Sequence, residues 1–450
     1  MSIAVIILAA GKGTRMESDL PKALHKIGHA PLLAHSMQAA AYLNAEKTVI
    51  VVGHKAEAVT KVAKKIDPEI IITHQSKQLG TAHAVAQARP ALEGFQGDIL
   101  VLYADTPLIS QQTMTKIRNA RSDADFTVLG FEAYNPGYYG RLVMDGCQLK
   151  KIVEFKDASE KERSITLCNS GVMMASSDVL FSTIEKIGRE NPSGEFYLTD
   201  CVELARKSGK TVSVVKCAEA ETLGVNSRAD LAIAEATFQS RARAASIIDG
   251  VTLLAPDTVF FSFDTVIGRD SVIEQNVVFG PGTKIESEAH IRAFSHIEGA
   301  HVARGAIVGP YARLRPGVEL AENVRIGNFV EVKNSKIAQN AKINHLSYIG
   351  DAQIGKDTNI GAGAVTCNYD GVMKQETSIG SRAFIGSNTM MVAPVNIGDD
   401  TVTASGSVIT IDVPNDALAL GRADQVNKLG FAKKLMNILK KRKQKRDLDK

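Results

Sequence analysis

"VIGRDSVIEQNVVFGPGTKIESEAHIRAFSHIEG", residues 266–299, carries a large apolar side chain at every sixth position. The spacing returns twice further along the chain, and the full set is Ile267, Ile273, Phe279, Ile285, Ile291, Ile297, Val308, Leu314, Leu320, Ile326, Val332, Ile379, Ile385, Met391 and Ile397. A period of six matches neither an α-helix, at 3.6 residues, nor a strand, at 2. It predicts a parallel β-helix in which each face takes one hexapeptide and points one apolar side chain inward. The repeat is broken over residues 367–378, which we expect to form a projecting loop.

The N-terminal half of the chain follows another pattern. Up to about residue 228, β-branched runs such as "KTVIVV" (47–52) and "DILVLY" (98–103) alternate with helical stretches such as "LLAHSMQAAAYL" (32–43). This alternation predicts an α/β, Rossmann-like domain with a parallel sheet and a ligand site at the carboxyl ends of its strands. Residues 229–246 contain no Gly or Pro and predict one continuous helix. We therefore expect an α/β domain over 1–228, a helical linker over 229–249 and a β-helix domain with a basic tail over 250–450.

Composition excludes several classes of protein. The 450 residues are 44% apolar and 23% charged, which is typical of a globular protein and not of a fibrous or disordered one. We expect no membrane span and a cytoplasmic location, because no apolar stretch approaches about 18 residues and no leader-like segment precedes the first strand. The five cysteines form no CxxC pair, so neither a disulfide framework nor a zinc knuckle is indicated.

The charge is concentrated at the C-terminal end. Residues 432–446 hold eight Lys or Arg and no acid, so a net charge of +4 leaves the rest of the chain at 4 − 8 = −4. Phe431, Leu435, Ile438 and Leu439 share one helical face, which predicts a helix docked on the β-helix with a solvated basic end. Nucleic-acid or acidic-membrane binding is the alternative. No aromatic residues interleave with the lysines, so we expect no nucleic-acid partner.

A candidate phosphate site lies in "AVIILAAGKGTRM", residues 4–16. Glycines after a buried strand let consecutive N–H groups point at one anion, and Lys12, Arg15 and Lys22 add positive charge suited to a triphosphate. The loop is neither a Walker A motif nor a dinucleotide fingerprint, and a plain turn is the alternative. Asp105 follows another buried run, "LYADTP", at the same expected edge, where it would hold magnesium or, alternatively, cap the next helix.

These motifs resemble those of a known family. "LAAGKGTRM" with "PK" at 21–22, "QLGTAHA" at 78–84, "YAD" at 103–105, "YGR" at 139–141, "IVEFKDA" at 152–158, "NSG" at 169–171 and "GVN" at 224–226 are similar to the motifs of sugar-nucleotide pyrophosphorylases. Joined to hexapeptide repeats, they resemble a bacterial family of bifunctional enzymes over nearly the whole chain. The resemblance implies a nucleotidyltransferase domain followed by a left-handed parallel β-helix acetyltransferase domain.

The resemblance also implies two reactions. Glucosamine 1-phosphate is acetylated by acetyl-CoA, and UMP then passes from UTP to N-acetylglucosamine 1-phosphate with release of pyrophosphate. Mg²⁺ is the implied cofactor, a homotrimer through the β-helix is the implied assembly, and the product supplies peptidoglycan and lipopolysaccharide precursors. A sugar-phosphate oxygen attacks the α-phosphorus of UTP in line, so no protein nucleophile is required.

For the first reaction, the resemblance assigns residues position by position. The implied contacts of UTP or the UDP-sugar are Leu8, Ala9, Ala10, Gly11, Lys22, Gln75, Gly80, Thr81, Tyr103, Ala104, Asp105, Gly140, Glu154, Asn169 and Asn226. Arg15 and Lys22 are the implied catalytic cations, and Asp105 and Asn226 the implied magnesium ligands. The family more often shows glycine where this chain has Ala82 and Ala104, which adds a methyl group near the nucleotide.

A second set of polar motifs interrupts the hexapeptides: "RLRPG" at 313–317, "EVKNS" at 331–335, "NHLSYIGD" at 344–351, "NIGAGAVTCNYDG" at 359–371 and "IGSNTM" at 385–390. One coil takes about 18 residues, so Arg315 and Lys333 should stack beside a phosphate pocket, with His345 as a general base or, alternatively, a surface residue. The resemblance implies that His345 is the base, that Arg315, Lys333, Tyr348 and Asn359 bind the sugar phosphate, and that Ala362, Asn368, Tyr369, Ser387, Ser405 and Arg422 bind acetyl-CoA. Position 405 is more often Ala in that family.

Two other classes of function compete with the bifunctional enzyme. One is a single-activity nucleotidyltransferase with the β-helix as a trimerising scaffold, and the other is a non-catalytic sugar-nucleotide sensor. A scaffold does not require His345, Asn368 and Tyr369, and a sensor does not require both Asp105 and Asn226. The sequence therefore favours the bifunctional enzyme.

Overall fold

The computed structural model describes residues 2–448, which form two compact units. The first unit comprises the chain up to residue 248 together with residues 260–265, and the second comprises residues 249–259 and those from 266 onward. The expected linker helix is present as Arg228–Ile248, and it belongs to the first unit, as do residues 260–265. Within residues 2–448, no helix is both long enough and apolar enough to cross a membrane.

The first unit is built on one twisted sheet. Its strands are β1 (Ile3–Ala9), β4 (Lys47–Val52), β5 (Ile71–His74), β6 (Asp98–Tyr103), β7 (Phe126–Glu132), β8 (Arg141–Asp145), β9 (Gln148–Val153), β10 (Leu167–Ser176) and β11 (Val212–Cys217), while β2 (Lys26–Ile27) and β3 (Ala30–Pro31) form a separate hairpin. The order across the sheet is β11-β7-β10-β6-β1-β4-β5, with the β8–β9 hairpin branching from β10. The first strand is thus central, which fits its fully buried apolar sequence.

The expectation of a parallel sheet is wrong at β10 and at the β8–β9 hairpin. β10 runs antiparallel to both of its neighbours, β6 and β7, whereas β1, β4, β5 and β6 pair in parallel. The reason is the β8–β9 hairpin, since the chain leaves β7 through a hairpin rather than through a crossover helix and returns in the opposite direction.

Helices cover both faces of this sheet. They are α1 (Leu32–Tyr42), α2 (Ala56–Ile66), α3 (Thr81–Ala86), α4 (Gln111–Ala120), α5 (Glu160–Arg163), α6 (Ser177–Ile184), α7 (Asp200–Lys207) and α8 (Arg228–Ile248), with short 3₁₀ turns at Thr14–Met16, Lys22–Leu24, Arg89–Leu92 and Glu219–Glu221. Alternate residues of β1 enter opposite layers, with Ile6 in one buried cluster and Val5 and Ile7 in the other. This two-sided burial fixes the carboxyl end of β1, from which the glycine loop departs.

The α8 helix belongs to the core of the first unit. Ala234 is buried in a cluster with Met16 and Ile27, and Phe238 packs against the same cluster. The side chain of Gln239 donates to the carbonyl of Phe261 at 2.8 Å and accepts from its N–H at 2.8 Å. The helix therefore does more than connect, because it fills an apolar layer beside the glycine loop.

The second unit is a parallel β-helix with three sheets, as the hexapeptide period predicts. Sheet I contains Thr252–Leu253, Val272–Ile273, His290–Ile291, Ile307–Val308, Arg325–Asn328, Lys342–His345, Asn359–Ile360, Phe384–Ile385, Val402–Thr403 and Leu418–Ala419. Sheet II contains Val266–Ile267, Lys284–Ile285, Ala300–Val302, Val318–Leu320, Lys336–Ile337, Ala352–Ile354, Thr377–Ile379 and Val395–Ile397. Sheet III contains Val278–Phe279, His296–Ile297, Arg313–Leu314, Glu331–Lys333, Tyr348–Gly350, Val365–Cys367, Met390–Val392 and Val408–Ile409, and a 3₁₀ turn lies at Pro256–Thr258.

The side chains that set the six-residue period form the core of this β-helix. Ile273, Phe279 and Ile291 are fully buried, as is Met391 near the other end, whereas Ile267 in an early coil is only partly buried. Residues 368–376 contain no strand and leave the stack of coils, as expected for the projecting loop. The second unit is therefore a left-handed parallel β-helix of the hexapeptide-repeat type.

The C-terminal helix α9 (Phe431–Leu448) departs from the prediction. It is helical as expected, but none of its side chains is buried, so the expected docking on the β-helix is wrong for this chain. Phe431, Leu435, Ile438 and Leu439 remain 40–49% exposed. Apart from Leu448 at its end, the apolar residues of the helix lie in its first half, and burying the second half would desolvate lysines and arginines.

Candidate functional site

The largest group of expected site residues surrounds one cavity at the carboxyl ends of β1 and β6. The cavity holds about 300 Å³. Its lining includes eleven of the residues assigned to the nucleotide: Leu8, Ala9, Ala10, Gly11, Lys22, Gln75, Gly80, Thr81, Tyr103, Ala104 and Asp105. Gln78 and Glu195 also line it, and sequence reasoning missed both.

The glycine loop brings a cation to the mouth of this cavity. Gly13 has φ 62° and ψ 38°, a left-handed conformation that other residues adopt at a cost, and it precedes the Thr14–Met16 turn. A Cβ at this position would lie 2.7 Å from the Cβ of Lys22, so glycine is also required for the close approach of the Lys22 chain. The glycine loop therefore packs directly against Lys22.

Four polar side chains converge at the same place. The Lys22 ammonium forms an ion pair with the Asp105 carboxylate and donates to Asn226 Oδ1 at 3.2 Å, while Arg15 donates to the same oxygen at 2.9 Å. The alternative role of Asp105 as a helix cap does not apply, because Ser110 caps the next helix. The structure thus places the expected catalytic cations against the expected metal ligands.

This donor set fits a magnesium ion. Asp105 and Asn226 direct a carboxylate and an amide oxygen at one cation, the Lys22 ammonium, and such oxygens are the ligands that Mg²⁺ prefers. In the described part of the chain, no three His, Cys, Asp or Glu residues are grouped closely enough to hold a metal ion. Two protein ligands supplemented by phosphate oxygens and water are normal for Mg²⁺, so the residues fit the ion.

Gln75, assigned to the uracil, is held by its neighbours. It is 4% exposed, and its side-chain amide donates to the carbonyl of Gly80 at 3.0 Å and contacts His83 Nδ1 at 3.0 Å. A Cβ on Gly80, which has φ 119°, would lie 2.4 Å from the Phe196 carbonyl oxygen, so this turn also requires glycine. His83 was missed from the sequence, although it fixes the orientation of the Gln75 amide.

Tyr103 connects this cavity with the expected sugar contacts. Burial raises the pKa of Tyr103 well above its usual value, and the neighbouring carboxylates Asp105 and Glu154 add to the effect. An ideal Cβ on Gly140 would lie 3.6 Å from Glu154 Oε1 and 3.6 Å from the Asn169 Cβ. The three residues assigned to the acetylated sugar are therefore neighbours.

Hydrogen bonds fix this sugar group. The Asn169 N–H donates to the Gly140 carbonyl at 2.8 Å, and Thr199 donates to Glu154 at 3.3 Å. Burial raises the pKa of Glu154 above the usual carboxyl value. Of the two alanines that depart from the family pattern, Ala104 lines the cavity and Ala82 is packed into a core cluster.

A second group of cations lies on sheet III of the β-helix. Lys333 forms an ion pair with Asp351 at 3.9 Å, Arg315 forms one with Glu331 at 2.8 Å, and Asn368 donates to both Asp351 and the Tyr348 hydroxyl. Arg315 donates its N–H to the strand that carries Lys333, which confirms their expected stacking on consecutive coils.

Lys374, which the sequence reasoning missed, joins this cationic group. Hydrogen bonding to Lys333 and repulsion from its ammonium lower the pKa of Lys374. Two adjacent ammonium groups are suited to sharing one anion such as phosphate. Lys374 lies in the projecting loop, where the lost six-residue register removed the spacing signal that pointed to Arg315 and Lys333.

Four of the six expected acetyl-CoA residues line up along the corner of the β-helix that also carries His345. Gly363 donates to the His345 carbonyl, Asn388 to that of Ala362, Gly406 to that of Ser387, and the Arg422 guanidinium to that of Ser405. Successive coils are about 4.8 Å apart, so the row from His345 to Ser405 is about 14 Å long. Tyr369 lies apart in the projecting loop, and Asn359 pairs with Lys342 on sheet I.

The geometry of His345 identifies its basic nitrogen. Nδ1 lies 2.8 Å from Asn328 Oδ1, one coil earlier. An amide oxygen can only accept a hydrogen bond, so Nδ1 carries the proton and the lone pair is on Nε2. Across residues 2–448, no hydrogen bond or ion pair joins the His345 side chain directly to the cationic group on sheet III.

Comparisons with known proteins agree with this architecture. Residues 5–164 match the MobA-like NTP transferase domain, and residues 376–410 match the hexapeptide repeat of succinyl-transferase. The bifunctional protein GlmU of Ruegeria sp. strain TM1040 is 61% identical over 443 residues, covering 98% of this chain and 99% of that protein. The bifunctional protein GlmU of Roseobacter denitrificans is 60% identical over 445 residues, covering 99% of each.

Among solved structures, a nucleoside-diphosphate-sugar pyrophosphorylase from Vibrio cholerae is 15% identical with a TM-score of 0.42, covering 50% of this chain and 98% of that one. Because the two GlmU proteins are at least 60% identical to this chain along nearly its whole length, the chain belongs to the family of the bifunctional protein GlmU.

Proposed function

We propose that the α/β unit transfers UMP from UTP to N-acetylglucosamine 1-phosphate and that the β-helix unit acetylates glucosamine 1-phosphate with acetyl-CoA. The chain is a bifunctional enzyme of UDP-N-acetylglucosamine synthesis, with a nucleotidyltransferase and an acetyltransferase activity. Its product is a precursor of peptidoglycan and lipopolysaccharide, and we place the enzyme in the cytoplasm, where both of its activated co-substrates are made.

The convergence of Lys22, Asp105 and Asn226 at the mouth of a preformed cavity carries the uridylyl-transfer proposal. UTP lies in the cavity with its uracil against Gln75 and its phosphates toward Lys22 and Arg15. The sugar-phosphate oxygen forms a bond to the α-phosphorus while the bond to the pyrophosphate oxygen breaks. Lys22 and Arg15 neutralise the charge that gathers on the phosphates, which is the main task in this chemistry.

Magnesium would be held by Asp105 and Asn226 and would supply further neutralisation of the phosphate charge. When UTP binds, the Lys22 ammonium exchanges its contact with Asp105 for phosphate oxygens. Gly140, Glu154 and Asn169 then hold the acetylated sugar, and the half-buried Glu154 carboxylate accepts hydrogen bonds from the sugar hydroxyls. Holding both anions in line is the contribution of this unit.

Acetyl transfer depends on His345. Nε2 removes a proton from the 2-amino group of glucosamine 1-phosphate as that nitrogen attacks the thioester carbonyl, and the carbon–sulfur bond then breaks to release CoA. Asn328 keeps Nδ1 protonated, so Nε2 stays available as a base. Arg315, Lys333, Tyr348 and Asn359 bind the sugar phosphate, and the row of Ala362, Ser387, Ser405 and Arg422 binds acetyl-CoA together with Asn368 and Tyr369.

We further propose that the β-helix assembles as a homotrimer. Among the described residues, no hydrogen bond or ion pair joins the His345 side chain directly to the cationic group on sheet III, and a neighbouring copy would supply the missing half of the site. The corner residues Phe294, Tyr311 and Phe329 also stack in an exposed row, with ring centroids 4.9 and 5.2 Å apart. Such a row is the kind of apolar surface that a subunit contact covers.

One experiment separates this function from its competitors. The protein is incubated with glucosamine 1-phosphate, acetyl-CoA, UTP and Mg²⁺, and free CoA and pyrophosphate are followed separately. The reaction is repeated with acetyl-CoA or UTP omitted, and a parallel reaction contains N-acetylglucosamine 1-phosphate, UTP and Mg²⁺. The enzyme should release both, and pyrophosphate should depend on prior acetylation. Pyrophosphate from N-acetylglucosamine 1-phosphate without any CoA release would favour the scaffold, and binding without either product would favour the sensor.

A further inference from the structure

Arg141 is a buried charged side chain to which the proposed reaction assigns no role. It is 2% exposed, and its guanidinium donates only to main-chain carbonyls: Arg163 at 3.3 Å, Pro136 at 3.4 Å, Gly137 at 3.0 Å, and Tyr139. Among the hydrogen bonds and ion pairs of the described residues, none joins it to a carboxylate. A buried cation without a counter-ion is costly, so its retention requires a reason.

The partners of Arg141 show what it shapes. Three of the four carbonyls belong to one short loop, residues 136–139, which turns its oxygens inward toward the guanidinium instead of toward water. A guanidinium can serve all of these oxygens because it carries five N–H donors in one plane. A lysine ammonium is a compact point charge and could not replace it as their common partner. Arg141 therefore dictates the conformation of the loop that leads directly into Gly140.

The same guanidinium reaches the other side of the sugar group. Its Cζ lies 5.8 Å from the ring centroid of Phe155, the residue after Glu154, and Arg163 packs on the same ring at 4.6 Å. The Gly140 carbonyl, in turn, accepts a hydrogen bond from the Asn169 N–H. A Cβ built on Gly140 would lie 3.6 Å from Glu154 Oε1, so the Gly140 backbone is close to that carboxylate. Arg141 is thus in contact with the segments that carry Gly140 and Glu154 without lining the nucleotide cavity.

We propose that Arg141 is a positioning residue that sets the affinity of the enzyme for the acceptor sugar phosphate. This inference depends on the proposed uridylyl-transfer site. Arg141 does not touch substrate; it holds the 136–140 loop and the Phe155 ring so that Gly140, Glu154 and Asn169 face one sugar. UTP binding, which uses the cavity that Arg141 does not line, does not depend on it.

Two variants test the inference, Arg141→Lys and Arg141→Met, with Ile117→Ala as a matched control that destabilises a buried helix residue elsewhere in the same unit. In both Arg141 variants, KM for N-acetylglucosamine 1-phosphate should rise about tenfold or more, because small displacements of binding groups are costly. The dissociation constant of UTP, measured by calorimetry, and KM for UTP should stay within about twofold of wild type. Ile117→Ala should lower Tm but change neither KM.

The outcomes are distinguishable. Unchanged KM for the sugar phosphate in folded variants would overturn the inference, and so would parallel rises in both KM values. Loss of UTP binding in Arg141→Lys, or failure of both variants to fold, would equally overturn it, since the guanidinium would then support the whole unit. A wild-type enzyme that releases no pyrophosphate from UTP and N-acetylglucosamine 1-phosphate would instead remove the proposed function, and this inference with it.

Discussion

The Asp105 carboxylate faces the Lys22 ammonium at the mouth of the nucleotide cavity, and Asn226 shares that ammonium. Asp105→Asn keeps the size of the side chain and removes the charge that attracts a divalent cation. We expect the rate of pyrophosphate release to fall by about 100-fold or more, with CoA release unchanged. The exposed Asp123→Asn is the control and should leave both rates at wild-type values. Equal loss of both activities in Asp105→Asn would contradict this assignment.

A second single substitution tests whether His345 is the base of the acetyl transfer. His345→Ala should lower the rate of CoA release by about 10²- to 10⁴-fold, the usual contribution of a positioned base, which corresponds to about 3 to 5 kcal/mol of barrier. Pyrophosphate release should stay near wild type. His296→Ala, at another exposed position of the β-helix, is the matched control. A His345→Ala enzyme that keeps more than about a tenth of wild-type acetyl transfer would return His345 to the role of a surface residue.

A buried histidine makes the first unit sensitive to acid. Burial lowers the pKa of His35 below the usual value near 6.5, against the opposing hydrogen bond from its ring to the Ile27 carbonyl at 3.0 Å. The folded unit then binds fewer protons than the unfolded chain, so the free energy of unfolding falls as pH drops below about 6.5. Urea midpoints of wild type should decrease from pH 7 to pH 5, and less so in His35→Gln. His29→Gln, at an exposed histidine, should show the same fall in urea midpoint between pH 7 and pH 5 as wild type. An equally large fall in His35→Gln would contradict the assignment of this pH dependence to His35.

The individual residues differ in how well the sequence revealed them. Lys22 and Asp105 could be found because each follows a recognisable buried strand or glycine loop. His83 and Asn328 could not, because both act through a partner side chain that only the folded chain brings within hydrogen-bond distance. Positioning groups carry no motif of their own, so a sequence reveals the groups that meet substrate more readily than those that orient them.

The coil is the structural unit of the β-helix, and its length can be tested. Deleting residues 272–289 removes one coil of 18 residues and leaves His290 at the register position of Val272. This variant should fold and keep CoA release within roughly threefold of wild type, because every remaining strand keeps its sheet. Deleting residues 272–280 moves all following strands to the wrong face and should abolish cooperative unfolding. Equal damage from both deletions would show that 18 residues is not the repeating unit.

Among the elements, the hexapeptide strands were the easiest to predict and β10 the hardest. A six-residue period matches neither an α-helix nor a simple strand, and nearly all of its inward side chains are buried as expected. β10 has the composition of the parallel strands beside it, and composition does not encode direction. The direction is set by the β8–β9 hairpin, whose short strands carry exposed and charged residues and gave no signal in the apolar pattern.

The α8 helix belongs to the first unit, so the stability of an N-terminal fragment should depend on whether it includes this helix. A fragment of residues 1–228 lacks Leu231, Ala234 and Phe238, which cover the Met16 and Ile27 cluster. Exposing such side chains costs about 1.5 to 3 kcal/mol each, so its Tm should be about 10 °C or more below that of a 1–265 fragment. Both fragments are compared by calorimetry and by pyrophosphate release. Equal Tm values would mean that α8 adds nothing to the first unit.

The division into two units could be anticipated, but its position could not. The change from a helix–strand alternation to a period of six located the boundary near residue 250. Residues 260–265 follow that point in the sequence and yet belong to the first unit, where Phe263 donates to the Gly28 carbonyl at 2.8 Å. A return of this kind depends on tertiary contacts, which periodicity does not register.

The stack of coils has a colloidal consequence. In the described residues, Leu418–Ala419 is the last strand of sheet I, so the C-terminal coil ends in an open backbone edge of the kind that can template fibre growth. About a dozen residues later, the chain adds the eight cations of α9, all of them exposed. Two molecules approaching end to end would bring two sets of like charges together, at a cost that salt screens. Concentrated solutions of this protein should therefore resist end-to-end association best at low ionic strength.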